Sequence, residues 1–121
     1  MISSSFYGIT ESISVSSTTA DNSSDILYTC PDNHEAEVTL LLITNGHSST
    51  TSINLQFYHK ETNEWHYIAR LHSIAGNTTY SPLSDSTLFL HQGDKLTVFK
   101  SSGTIDATIS VKQMSSTLRI S

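Results

Sequence analysis

The chain has 121 residues, 36% of them hydrophobic and only 14% charged, with a formal net charge of −5. That length makes one domain around a single core, and 6 Lys+Arg against 11 Asp+Glu leave no basic stripe for nucleic acid. Ser and Thr, roughly a third of the residues, supply the surface polarity that charges usually provide, which suits extended structure because Thr is β-branched.

Residues 1–5, Met-Ile-Ser-Ser-Ser, carry neither the basic n-region nor the apolar h-region of a signal peptide, so none is expected. The sequons at Asn22 and Asn77 are then not expected to meet glycosylation machinery. Residues 1–10, with Phe6, Tyr7 and Ile9, read as an edge strand or as an arm that docks on a neighbour. Ser12-Ile13-Ser14-Val15-Ser16 alternates strictly and predicts a half-buried strand. Residues 18–25 are a polar loop rich in Asn, Asp and Ser.

Residues 26–45 are the stretch around which the chain is organised. Ile26-Leu27-Tyr28-Thr29-Cys30 is a short strand, Pro31-Asp32-Asn33 a turn, and residues 34–45 the longest and most apolar strand. Strict alternation puts Val38, Leu40 and Leu42 on one face and Leu41 and Ile43 on the other, which predicts a central strand buried on both sides. Asn45-Gly46 closes it. Cys30 is the single cysteine, so an intrachain disulfide and a cysteine metal site are both excluded, and its setting predicts a buried structural thiol.

Ile53, Leu55 and Phe57 alternate with Asn54, Gln56 and Tyr58, and Trp65, Tyr67, Ala69 and Leu71 alternate with His66, Ile68 and Arg70, which predicts two strands. Pairing Phe57 with Tyr67 and Leu55 with Ala69 leaves residues 60–64 as a loop and puts Phe57, Trp65 and Tyr67 on the core face. Ala75-Gly76-Asn77 turns the chain into a short strand ending before Pro82. Leu88-Phe89-Leu90, then Leu96-Thr97-Val98-Phe99 after the turn Gln92-Gly93-Asp94, are further strands. Ser101-Ser102-Gly103 leads into Ile105, Ala107, Ile109 and Val111, a one-sided strand. No window shows a sustained helical period, and the longest apolar run, residues 40–43, is far short of a membrane span. The prediction is all-β: a single antiparallel β-sandwich, Greek-key or jelly-roll-like, with extended terminal arms. Residues 1–24 are its arm and edge strand, 25–114 the sandwich and 115–121 a tail.

Several residue sets invite a chemical reading. The six histidines, His34, His47, His59, His66, His72 and His91, fall in no metal-ligand spacing, so no metal site is expected. Asp85 and His91 with any of the serines imitate a triad, but no nucleophile-elbow context surrounds them and no catalytic residue is assigned. Glu61 and Glu64 flank a hairpin loop beside Trp65 and read as solubilising rather than as a glycosidase pair. Tyr58 and Tyr80 are the aromatics expected at the surface, and tyrosine is common at interfaces. The candidate interface residues are Phe6, Tyr7, Ile9, Tyr58, Tyr80, Leu118 and Ile120.

The stretch Ile26-Leu27-Tyr28-Thr29-Cys30-Pro31, with Ala36-x-Val38 and a strand ending in Asn45, resembles the opening of small β-sandwich accessory virion proteins of tailed bacteriophages. Leu90-His91-Gln92-Gly93-Asp94-Lys95-Leu96-Thr97-Val98 is similar to their L-x-x-G-D-x-L-x-V segment. Ser102-Gly103, then Ile105-Asp106 and a strand closing at Met114, resemble their ending. The turn Asp32-Asn33-His34 departs by lacking a glycine, and residues 1–25 have no counterpart. The resemblance implies a non-enzymatic, cofactor-free structural protein of the virion, a capsid decoration or cement protein first, with a neck, tail or fibre-attachment piece as the alternative. The implied partners are copies of itself, with a trimer expected, and major capsid or other virion proteins; neither nucleic acid nor membrane is expected. A carbohydrate-binding module for a host-surface glycan is the reading from a different class, and exposed aromatics would distinguish it.

Overall fold

The computed structural model describes residues 6–15, 25–84 and 86–115. Nine strands cover them: β1 (Phe6–Val15), β2 (Asp25–Thr29), β3 (His34–Asn45), β4 (Thr51–His59), β5 (Glu64–Ile74), β6 (Thr78–Tyr80), β7 (Leu88–His91), β8 (Lys95–Lys100) and β9 (Ile105–Ser115). One sheet runs β1-β9-β3-β6 with β7 also on β3, and the other runs β2-β8-β4-β5. Every pairing is antiparallel. Strand β1 thus meets β9, β2 meets β8, β3 meets β6 and β7, and β4 meets β5. That order is a long antiparallel ribbon rolled so that successive pairs fall in alternate sheets, the jelly-roll solution. The expected all-β sandwich is present.

Apolar residues from both inner faces fill the core: Ala36, Val38, Leu41, Ile43, Ile105, Ala107, Ile109 and Val111 from one sheet, and Leu27, Tyr28, Ile53, Leu55, Leu96 and Val98 from the other. The turn Pro31-Asp32-Asn33 does not join a hairpin. It carries the chain from one sheet to the other, with Asn33 in the left-handed region at φ 62°, the conformation a glycine would take at lowest cost. Of residues 1–10, open between arm and strand in the sequence, 6–10 belong to β1, and all ten β1 positions pair with β9. Residues 1–5 and 116–121 of the expected arms, and most of the loop at 18–25, lie outside the described residues.

Central strand β3 departs from simple alternation. Val38 stands opposite Val111 and Leu40 opposite Ser110, so Thr39 is an extra residue, a β-bulge. The bulge resets the phase: Ala36, Val38, Leu41, Ile43 and Asn45 face the core, while Leu40 is 38% exposed and Leu42 half-buried. The expectation that β3 is buried on both faces is corrected accordingly, because its outer face meets water.

Hairpin β4–β5 carries the larger correction. Leu55 does pair with Ala69, as expected, but Phe57 pairs with His66 and Gln56 with Tyr67. Ile68 is an extra residue in β5, and a second irregularity sets Arg70 and Leu71 together against Asn54, between the pairs Ile53–His72 and Leu55–Ala69. The loop shortens to residues 60–63. A one-residue bulge moves every side chain beyond it to the other face. Phe57 still packs against the core, whereas Trp65 and Tyr67 pass to the outer face.

Candidate functional site

Two polar clusters hold the sandwich, one at each end. At the end where β3 starts, Asp94 is buried, and its carboxylate accepts from Lys60 N at 3.0 Å, His91 N at 2.9 Å and His59 Nδ1 at 3.3 Å. Its backbone carbonyl accepts from Cys30 N, and Cys30 O accepts from Gly93 N, both at 2.9 Å. Asp94 therefore clamps three connections: the turn after β2, the loop after β4 and the turn before β8. Gly93 is favoured by its φ of 83°, where an L side chain would be strained. The Gly-Asp pair read as a turn is a turn whose carboxylate holds the end of the fold together. Cys30 lies beside it, 1% exposed. Its Sγ is within hydrogen-bond reach of His34 O and Leu90 O, and burial, with help from Asp94 and Glu35, pushes its pKa up to about 11.

At the opposite end Asn45 is buried and donates from Nδ2 to Ser49 O at 2.8 Å and Ile74 O at 3.1 Å, while its Oδ1 accepts from His47 N. Thr51 Oγ1 donates to Ser102 O at 3.0 Å. A Cβ on Gly76 would lie 2.2 Å from the backbone oxygen of Ser48. These are the ties that close loops over the core.

The outer face of the β2-β8-β4-β5 sheet is different in kind. Cross-strand partners share a face, and here Ile26, Thr97, Gln56 and Tyr67 form one row, with Thr29, Lys95, Tyr58 and Trp65 in the next. The Tyr58 and Trp65 rings touch, with centroids 4.8 Å apart and planes tilted 42°. Tyr58 OH also donates to Asn63 Oδ1. Tyr67 is 50% exposed and carries the Arg70 guanidinium 5.2 Å above its ring centroid, and Lys95 Nζ lies 5.5 Å from the Tyr58 centroid. Arg70 is placed by the bulge: Leu71 sits at φ 50° and donates its N–H to Asn54 Oδ1 at 2.7 Å.

The sequence-derived site residues distribute unevenly over this picture. Tyr58 belongs to the aromatic face but is half-buried rather than fully exposed; Tyr80 is half-buried and stacks on His72 at 3.8 Å. Phe6, Tyr7 and Ile9 lie on β1, opposite Met114, Gln113 and Val111 in the register. Leu118, Ile120 and Asp85 lie outside the described residues. Glu61 and Glu64 are exposed, within 3.9 Å of His59 and 3.6 Å of His66 respectively. Among the described residues, no three His, Cys, Asp or Glu side chains converge as a metal site would require, and no helix is long and apolar enough to cross a membrane. Trp65 and Tyr67 escape a reading of the sequence because the register that hides them is the natural one for an unbulged hairpin. The excess of residues between Leu55 and its partner strand leaves no mark in the alternation.

No protein-family model matches the chain, and no curated protein matches it. Among solved structures, the fold is similar to that of a chain described by the words "Bacillus endospore appendages form a novel family of disulfide-linked pili". The TM-score is 0.50 at 12% identity, over 98% of this chain and 92% of that one.

Proposed function

We propose that this protein is a non-enzymatic structural subunit that assembles with copies of itself, used as an accessory component of a tailed-phage virion. The observation that carries the reading is the state of its sheet edges. Among the described residues, strand β1 is a ten-residue edge, paired along its length with β9 on one side. It holds neither the lysine nor the proline that usually blunts such an edge. The short edge β6 has no lysine either, whereas β5, at the edge of the second sheet, is blunted by its two bulges and by Arg70. An edge as long as β1 is tolerated where another chain covers it.

The virion assignment rests on the strand-and-turn resemblance over residues 26–114. Its motif residues Gly93 and Asp94, with Cys30 of the opening segment, form one of the two structural clamps. A decoration or cement role on the capsid is the first reading within that class, and a trimer the expected assembly; a neck, tail or fibre position obeys the same physics with a different ring. The pilus-forming chain with the similar fold offers a parallel in architecture, a β-rich subunit that builds an appendage. Disulfide linkage does not carry over: Cys30 is buried, and a thiol with its pKa pushed to about 11 is a poor nucleophile at neutral pH.

Electron microscopy of the concentrated, purified protein tests the proposal. Closed rings or larger regular assemblies are expected, unchanged by reducing agent. Fields of isolated 13.3 kDa particles at every concentration would overturn it.

A further inference from the structure

We propose that the outer face of the β2-β8-β4-β5 sheet binds an anionic polysaccharide, with Trp65, Tyr58 and Tyr67 as stacking surfaces and Arg70 and Lys95 as the groups that meet its acids. Three independent features of the face lead there.

The first is the aromatic array itself. Rings on the solvent side of a sheet are costly to leave in water, and this chain, with one Trp and five Tyr, gathers three of those six rings on one open face. Trp65 and Tyr58 are neighbours across adjacent strands, and Tyr67 lies two positions further along β5, about 7 Å on. That spacing is comparable to one sugar unit. The C–H faces of a pyranose are apolar and slightly positive, which matches the negative face of an aromatic ring. The rows cross four strands, and Tyr58 and Lys95 also border a shallow hollow lined by Pro31, Asp32 and Lys60, so the face suits a polymer laid along it rather than a fully enclosed small molecule.

The second feature is charge. The chain has nearly twice as many acids as bases, yet the two rows of this face and the adjoining bulge contain Lys95 and Arg70 and no carboxylate. Both cations lie over rings, Arg70 at 5.2 Å from Tyr67 and Lys95 at 5.5 Å from Tyr58. A cation held there is partly desolvated and ready to exchange the ring for a better partner. A sugar that stacks on the ring displaces the cation to the ring's edge, where a carboxylate, sulfate or phosphate on the same sugar completes the pair.

The third feature is strain. Leu71 occupies φ 50°, a region that a non-glycine residue occupies at a cost of about 1–3 kcal/mol and keeps only where its surroundings hold it. The Asn54 side chain holds it by accepting the Leu71 N–H at 2.7 Å. The product of that device is the insertion of Arg70 beside Tyr67. Such strain gathers at sites that use the side chain it positions.

Trp65 is the single tryptophan, so its fluorescence reports on this face directly. The full chain is titrated with three anionic polymers, polygalacturonate (carboxylate), heparin (sulfate) and a glycerol-phosphate teichoic acid (phosphate), and with neutral dextran. Affinity electrophoresis in gels containing each polymer provides a second readout. A shift in Trp65 emission and a retarded band are expected with at least one anionic polymer and not with dextran. Tyr67→Ala and Arg70→Gln are each expected to weaken binding about tenfold or more while the thermal melt stays cooperative. Arg70→Gln should also flatten the dependence on salt. No response to any of the three anionic polymers overturns the proposal. So does binding that survives the Tyr67→Ala/Arg70→Gln double variant, or dextran binding of equal strength. Emission that changes with protein concentration but not with polymer would assign the face to a second copy of the chain instead. Self-association through the sheet edges can fail or hold without altering any of these outcomes.

Discussion

Replacing Lys100 with methionine should make the protein more stable. Lys100 ends β8 on the core side, in phase with Leu96 and Val98 and opposite Ile53. It is 0% exposed, and its Nζ has no hydrogen-bond partner among the described residues. The lysine nitrogen is a hydrogen-bonding group that water would satisfy, and a buried polar group left unsatisfied costs about 1–3 kcal/mol. Methionine keeps an unbranched stem of similar length and fills the same space without the donors. The expected gain is then about 1–3 kcal/mol. At roughly 4 °C per kcal/mol for a chain of this size, the melting temperature rises by about 4–12 °C. Urea denaturation monitored by circular dichroism, with scanning calorimetry as a check, measures both. An unchanged m-value would show that the gain belongs to the native state. A Lys100→Met protein that is less stable by about 1 kcal/mol or more, with a normal m-value, would refute the reasoning. It would mean that the amine has a partner whose loss outweighs the relief.

The core and its clamps yield three further expected outcomes. Leu41→Asp should abolish folding, since Leu41 is 1% exposed and an unpaired charge there has no compensation; Leu40→Asp, on the wet side of the Thr39 bulge, should remain soluble and cooperative, and comparing the two by circular dichroism tests the bulge. Gly76→Ala should cost about 1–3 kcal/mol in urea melts, because the added carbon meets backbone rather than a yielding side chain. Cys30 should stay unreactive to Ellman's reagent at pH 8 until the chain is unfolded. The native thiol holds its proton to about pH 11 against an ordinary value of 9.0, so the unfolded chain releases its proton first as pH rises between those values. Stability is full below pH 9 and falls above it, and Cys30→Ala should remove that fall from the melting curves.

Much of the sandwich is legible in the sequence because alternation is a direct readout of a sheet with one wet face. Ile105, Ala107, Ile109 and Val111 read as core in the right phase, and the turns at Gly93-Asp94 and Ser102-Gly103 fall where composition puts them. What alternation cannot carry is an extra residue. Thr39 moves Leu40 to the surface, and Ile68 moves Trp65 and Tyr67 with it. Both bulges sit in runs whose hydropathy fits either phase. The candidate binding face is hidden by that single insertion: read without Ile68 looped out, its two most informative rings belong to the core. Lys100 is hidden for the opposite reason, because a lysine at the end of an apolar strand reads as the place where the chain returns to water. The buried role of Asp94 has a local signal in the Gly-Asp turn, but the backbone groups it satisfies come from residues 60 and 91, and only the fold brings residue 60 to it.

The central claim is self-assembly through open sheet edges, and multi-angle light scattering across a concentration series tests it most directly. A defined oligomer at micromolar concentration, at three times the 13.3 kDa chain mass, is expected and should persist under reducing conditions. A single species at the mass of one chain, up to the highest concentration reached, would contradict it.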